Sequence, residues 1–187
     1  MTKPSSHALL IIDVINSFDF DHGEALLENA KKIIKPIINL KSLCYEHDFP
    51  IIYINDHYNL WQADIEKIYR ACENDTSSSF LQELRPDDKD YFLIKPKHSA
   101  FYGTALNTLL HQLQVSSLIL TGLAGNICVL FTANDAYMRE FTLTIPEDCI
   151  ASVSKQDNHY ALKMMKNVLK ANTSHSTSFN LNNKGEK

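Results

Sequence analysis

Short, almost wholly apolar runs recur along this 187-residue chain, and between them lie longer stretches whose apolar residues fall at helical spacing. The first run, Ala8-Leu9-Leu10-Ile11-Ile12, ends on a charge, Asp13. A continuous apolar run of this length reads as a strand buried on both faces, and such strands belong to parallel sheets. Parallel neighbours need a crossover, which the helical stretches supply. The alternation predicts strands at 8–14, 50–55, 91–95, 117–122 and 141–145, with helices over 24–47, 64–72, 103–114, 128–139 and 155–169. Within 24–47 the buried stripe is Leu26, Leu27, Ala30, Ile33, Ile34, Ile37 and Cys44, and Pro36 should kink or restart the helix. Residues 75–79 read as polar loop and 81–90 as charged turns around Pro86. The expected fold is a three-layer α/β/α, Rossmann-like domain with a mainly parallel sheet over 1–171, then a polar, flexible tail over 172–187.

Composition removes several function classes. A net charge of -4 and a pI near 6.0 give no electrostatic reason to expect nucleic acid or an anionic membrane as partner. No apolar run approaches the roughly 18 residues that span a bilayer, and the short polar segment 1–7 does not read as a signal peptide. The four cysteines, Cys44, Cys72, Cys128 and Cys149, form no CxxC pair and no regular spacing, so neither a disulfide framework nor a zinc knuckle is expected. A reduced, cytoplasmic setting is the default expectation.

In open parallel sheets, ligands bind beyond the carboxyl ends of the strands. That rule selects Asp13 at the end of the first strand, Lys95 at the end of the third and Cys128 after the fourth. Each has a plainer reading: a turn cap, a solvated strand end and a small buried side chain. Asp13 is the hardest to dismiss, because a charge after five apolar residues is costly unless it is paired. Cys128 follows a loop, 122–127, that holds two of the chain's five glycines, Gly122 and Gly125, a concentration that suggests close approach to a ligand. At the first turn of a helix, unpaired N–H groups and the helix dipole would favour the thiolate form of Cys128.

Three segments carry a resemblance. They are Leu9-Leu10-Ile11-Ile12-Asp13-Val14-Ile15-Asn16-Ser17-Phe18, then Lys95-Pro96-Lys97-His98-Ser99-Ala100-Phe101-Tyr102-Gly103-Thr104-Ala105-Leu106, then Thr121-Gly122-Leu123-Ala124-Gly125-Asn126-Ile127-Cys128-Val129 continuing to Ala136. With Thr144-Ile145-Pro146-Glu147-Asp148-Cys149-Ile150-Ala151, the chain resembles the isochorismatase-like cysteine hydrolases from about residue 8 to residue 169. That family includes nicotinamidases and carbamoyl-amide hydrolases. The resemblance implies a catalytic Asp13, Lys95 and Cys128, with the cysteine attacking a small amide or carbamoyl substrate and passing through a thioester. Asp13 would be the general base, and Lys95 would hold it in place and ionised. The family pattern further implies a cis peptide between Leu123 and Ala124, aiming the Ala124 and Cys128 N–H groups at the oxyanion. It also implies assembly as a homo-oligomer.

The chain departs from the nicotinamidase pattern where a metal would bind. It reads Asp56-His57, adjacent residues whose side chains point apart in an extended segment, so no metal or other cofactor is expected. A metal-dependent nicotinamidase, an isochorismatase-type vinyl-ether hydrolase and a catalytically silent binding protein of the same fold are the alternatives. Phe18, Trp61, Tyr102 and Phe131 are the substrate-pocket candidates, each with ordinary packing as its plainer reading. His98 is a pocket group or a loop residue, and the loop reading is preferred.

Overall fold

This computed structural model describes residues 7–179. Among them the strands are β1 His7–Ile12, β2 Ile51–Asp56, β3 Tyr91–Lys95, β4 Ser117–Leu123, β5 Thr142–Thr144 and β6 Ile150–Ala151. These six run parallel in the order β3-β2-β1-β4-β5, with β6 pairing β4 beyond the end of β5. The helices are α1 Gly23–Ala30, α2 Ile34–Glu46, α3 Ile65–Cys72, α4 Ser78–Glu83, α5 Leu106–Gln112, α6 Leu130–Tyr137 and α7 Lys155–Asn167. No helix among the described residues is long and apolar enough to cross a membrane.

Side chains alternate across a strand, so each apolar run feeds two cores at once. Leu10, Ile12, Ile52, Ile54, Leu118 and Leu120 pack with Leu106, Leu110, Ala133, Ala136, Ala161 and Met165 of α5, α6 and α7. Leu9, Ile11, Ile51, Tyr53 and Ile119 pack on the other face with Leu26, Ala30, Ile37, Leu40 and Cys44 of α1 and α2. The chain steps outward from β1 to β3 and then returns to lay β4 on the other side of β1. The order therefore reverses between β1 and β4, and the crevice at such a reversal is where these sheets bind ligands.

Local chemistry accounts for the departures from the expected elements. The single helix over 24–47 is two, joined by a 3-10 turn at Lys31–Ile33, and Pro36 sits in the first turn of α2, where its missing N–H costs nothing. Residues 78–83, read as loop and turn, form α4. The Asn74 side chain accepts from the N–H groups of Thr76 and Ser77, starting the helix, and Phe80 and Leu81 bury beneath it. The helix expected from 103 begins at Leu106 because the Thr104 hydroxyl turns the chain, donating to Ala100 O and accepting from Leu106 N–H. The expected tail is tied down over 172–179. Asn172 bridges Thr144, and Ser176 gives both its N–H and its hydroxyl to Asp148. The remaining tail residues, 180–187, lie outside the described residues.

Candidate active site

Asp13, Lys95 and Cys128 meet at the carboxyl end of the sheet, beside the β1–β4 reversal. Asp13 is the residue after β1 and adopts a left-handed φ of 51°, a conformation that aspartate tolerates better than most side chains. Its backbone is held by a bond to Ile54 O at 3.0 Å, and its Oδ1 accepts the Asp56 N–H at 2.8 Å. Two residues on, Asn55 grips Ile15 by both its N–H and its carbonyl, each at 3.0 Å. The Tyr58 hydroxyl adds a further bond to Ile15 O at 2.9 Å. Asn55 is a buried polar side chain near the end of the mostly apolar β2.

Lys95 ends β3 and is 0% exposed. Its ammonium has three protons and three close acceptors: Asp13 Oδ2 at 2.8 Å, Lys97 O at 3.2 Å and Cys128 Sγ at 3.5 Å. The Asp56 carboxylate stands farther off at 3.9 Å. Burial alone would lower the pKa of this lysine, but Asp13, the Cys128 sulfur and Asp56 outweigh it and the net shift is upward, so the charge is retained.

Cys128 lies in a π-helical turn, Gly125–Val129, that precedes α6. Single π turns of this kind recur at functional sites. Burial, reinforced by the Asp13 charge and only partly offset by Lys95, pushes the thiol up to about 12. The resting side chain is thus a thiol, against the thiolate expected from a helix start. The dipole of α6 begins one turn too late, and the local carboxylate and desolvation dominate. Burial likewise raises Asp13, against the pull of Lys95 and of its hydrogen bonds to Cys128 and Asp56.

The peptide between Leu123 and Ala124 is trans, as are all described bonds, which corrects the expected cis linkage. Leu123 is still in register with Ala151 of β6, and Ala124 continues extended at φ -80°, ψ 140°. The Ala124 carbonyl then accepts from Ile127 and Val129 and starts the π turn. Strand pairing on one side and turn bonding on the other are both satisfied by the cheaper trans form. The glycines of the loop also answer to the protein rather than to a ligand. A side chain at Gly122, φ 106°, would collide with the Ile12 backbone of β1, and one at Gly125 would meet the Asn158 side chain.

The pocket candidates separate. Phe18 is buried and meets Phe80 edge-on at 5.2 Å between ring centroids, so it is core. Phe131, 53% exposed, lies 5.4 Å from the His98 ring, and His98 Nδ1 is 3.9 Å from Cys128 Sγ. The structure therefore brings His98 to the sulfur, where the sequence reading preferred a plain loop residue. Trp61, 80% exposed, packs at a tilt against His57, with ring centroids 4.7 Å apart, next to Asp56. Tyr102 is largely exposed. Among the described residues no group of three His, Cys, Asp or Glu side chains is placed to hold a metal. Asp56 instead accepts from Tyr58 N–H at 2.8 Å, and His57 Nδ1 is buried without a hydrogen-bond partner.

Comparison with known proteins bears on the family and the fold. A family model described as the isochorismatase domain matches residues 7–177. An uncharacterized isochorismatase family protein of Bacillus subtilis, YaaI, is 61% identical over 162 residues, covering 87% of this chain and 90% of its own. The solved N-carbamoylsarcosine amidase of Thermoplasma acidophilum superposes with a TM-score of 0.72 at 26% identity, covering 94% of this chain and 99% of that one. The nicotinamidase PncA of Bacillus subtilis superposes with a TM-score of 0.71, also at 26% identity, covering 91% of this chain and all of that one, 100%.

Proposed function

We propose that this protein, which belongs to the isochorismatase family of hydrolases, cleaves a C–N bond of a small amide or carbamoyl compound through a Cys128 thioester. The observation that carries the reading is the fully buried Lys95 ammonium bridging the Asp13 carboxylate at 2.8 Å and the Cys128 sulfur at 3.5 Å. A cation is stable there only if paired, and its partners are a base and a nucleophile.

Because the resting sulfur is a thiol, its proton moves to Asp13 as the sulfur attacks the substrate carbonyl, and no free thiolate has to accumulate. Lys95 keeps its charge and offsets the negative charge that develops on sulfur and oxygen. The oxyanion is assigned, on the family resemblance, to the backbone N–H of Cys128 within the turn and of Ala124 just before it; one such donor is typically worth about 3 kcal/mol. Protonated Asp13 then gives its proton to the departing nitrogen, C–N breaks, and the thioester remains for water. Phe131, exposed beside His98, offers flat apolar surface near the sulfur, which suits a small planar substrate. Assembly as a homo-oligomer belongs to the same reading, since Met138, Tyr160, Met164 and Val168 present exposed apolar surface on α7, just after it, and in the turn between α6 and β5.

Ammonia release from a panel of small primary amides, ureas and carbamoyl compounds, including nicotinamide, tests the proposal. Turnover of at least one compound is expected, and it should vanish in Cys128→Ala and in Asp13→Asn. Full ammonia release in Cys128→Ala would remove thiol chemistry, and no ammonia from any compound together with hydrolysis of isochorismate would leave the vinyl-ether reaction, for which a carboxylic acid suffices. Activity lost to chelation and restored by zinc or iron would revive a metal-dependent nicotinamidase.

A further inference from the structure

The Cys128 sulfur has three polar side chains around it, and they differ in one respect. Asp13 and Lys95 are buried, whereas His98 is exposed. Once Cys128 is acylated, the water that must hydrolyse the thioester arrives from the solvent side, and His98 is exposed on that side, 3.9 Å from the sulfur.

His98 is also held there. The adjoining turn is fastened to α6 by Ser99, whose hydroxyl donates to Asp135, and by Ala100 N–H, which donates to Thr132 Oγ1 at 2.9 Å. The His98 ring itself packs on Phe131 of the same helix. The imidazole is thereby positioned relative to the helix that directly follows the nucleophile. The Nδ1 edge of the ring faces the sulfur, at 3.9 Å, which leaves the Nε2 edge turned away from it.

Resting on the cysteine mechanism above, we propose that His98 is the base for the second half of the reaction. Water attacks the thioester carbonyl while His98 Nε2 takes one of its protons. The tetrahedral intermediate collapses, C–S breaks, and the departing sulfur regains a proton from the imidazolium, releasing the acid and restoring Cys128 as thiol. Asp13 thus serves the thiol and the leaving nitrogen, and His98 serves the water.

The two steps are separable with p-nitrophenyl acetate, which reports acylation as a burst of nitrophenolate and deacylation as the steady rate that follows. His98→Gln should keep the burst and lose about 100-fold or more of the steady rate, the usual scale for a removed general base. Acetyl-Cys128 should accumulate in the peptide mass spectrum, and added imidazole should restore the steady rate in His98→Ala. An unchanged steady rate, a burst that falls in parallel with it, or no rescue by imidazole would overturn the role of His98. A burst that survives Cys128→Ala, or no acetyl-Cys128 in the wild type or in either His98 variant, would instead overturn the cysteine mechanism itself. Since His98 is exposed, its variants should unfold in urea at the wild-type midpoint, which a loss through misfolding would not reproduce.

Discussion

Lys95 Nζ stands 2.8 Å from Asp13 Oδ2 in a pair whose side chains are 0% and 8% exposed. Neither charge can be hydrated if the other is removed. Lys95→Met should therefore cost about 3–5 kcal/mol, the usual penalty for stranding one member of a buried pair. Lys95→Met with Asp13→Asn should regain most of that loss while remaining inactive, because the stranded charge is gone but the base is too. Urea unfolding of the four proteins measures the cycle, and a single-variant cost below about 1 kcal/mol would show that the pair is solvated after all.

The same pair sets an alkaline limit. Burial alone would lower the Lys95 pKa, but Asp13 and Cys128 carry it above the ordinary value of 10.5. A raised folded value means that the stabilisation is complete below 10.5 and is lost as pH rises through the folded value. Stability of the wild type should hold to about pH 10 and then fall more steeply than that of the Lys95→Met, Asp13→Asn double variant. Parallel curves through that range would count against a coupled pair.

Cys128 should be a poor target for alkylation in the resting protein. Its thiol is pushed up to about 12 from an ordinary 9.0 by burial and by Asp13. Each pKa unit is a factor of ten in thiolate, so at pH 8 iodoacetamide should modify Cys128 two to three orders of magnitude more slowly than free cysteine. The rate should climb without a plateau between pH 8 and 10, as followed by mass of the Cys128 peptide. Asp13→Asn removes a charge that raises the thiol and should speed the reaction. A plateau near pH 7 would mean a preformed thiolate.

The sheet was legible because buried parallel strands leave a signature, an apolar run closed by a charge, and Asp13 and Lys95 mark two such closures. The convergence of three groups at one edge followed from topology alone. What stayed hidden depends on contacts between distant segments. The thiol's protonation is set by burial and then by Asp13, 115 positions away in sequence and hydrogen-bonded to it. The start of α4 depends on one Asn74 side chain, and the docking of 172–179 on Asp148. His98 looked like a loop residue because nothing local says that Ser99 and Ala100 would bind α6 and swing it to the sulfur.

The two loop glycines should differ in tolerance. A Cβ at Gly122 meets the backbone of Ile12, in β1, which cannot move without parting the central strands, and the φ of 106° adds strain. A Cβ at Gly125 meets the end of the Asn158 side chain, which can swing away. Gly122→Ala should cost more than about 2 kcal/mol in urea unfolding, or leave the protein insoluble. Gly125→Ala should fold but lose activity, and Asn158→Ala added to it should restore part of the rate. Equal costs at the two positions would contradict the close approach of β4 to β1.

Asn55 acts on Asp13 without touching it. It holds both the N–H and the carbonyl of Ile15 at 3.0 Å, and it is 2% exposed. That grip fixes the chain two residues beyond Asp13, while the Asp56 N–H at 2.8 Å fixes the carboxylate itself. Asn55→Ala leaves the buried Ile15 N–H unpaired, since Tyr58 and Cys72 reach only the carbonyl. The expected cost is about 1–3 kcal/mol of stability. A small displacement of a catalytic group lowers the chemical step far more than it lowers substrate binding, so kcat should fall at least about tenfold with KM nearly unchanged. Asn55→Asp keeps the acceptor for the Ile15 N–H but sets a carboxylate oxygen against the Ile15 carbonyl, so it should be worse than Asn55→Ala in stability. If kcat, corrected for the folded fraction, is unchanged in Asn55→Ala, then Asn55 supports the fold and has no part in placing Asp13.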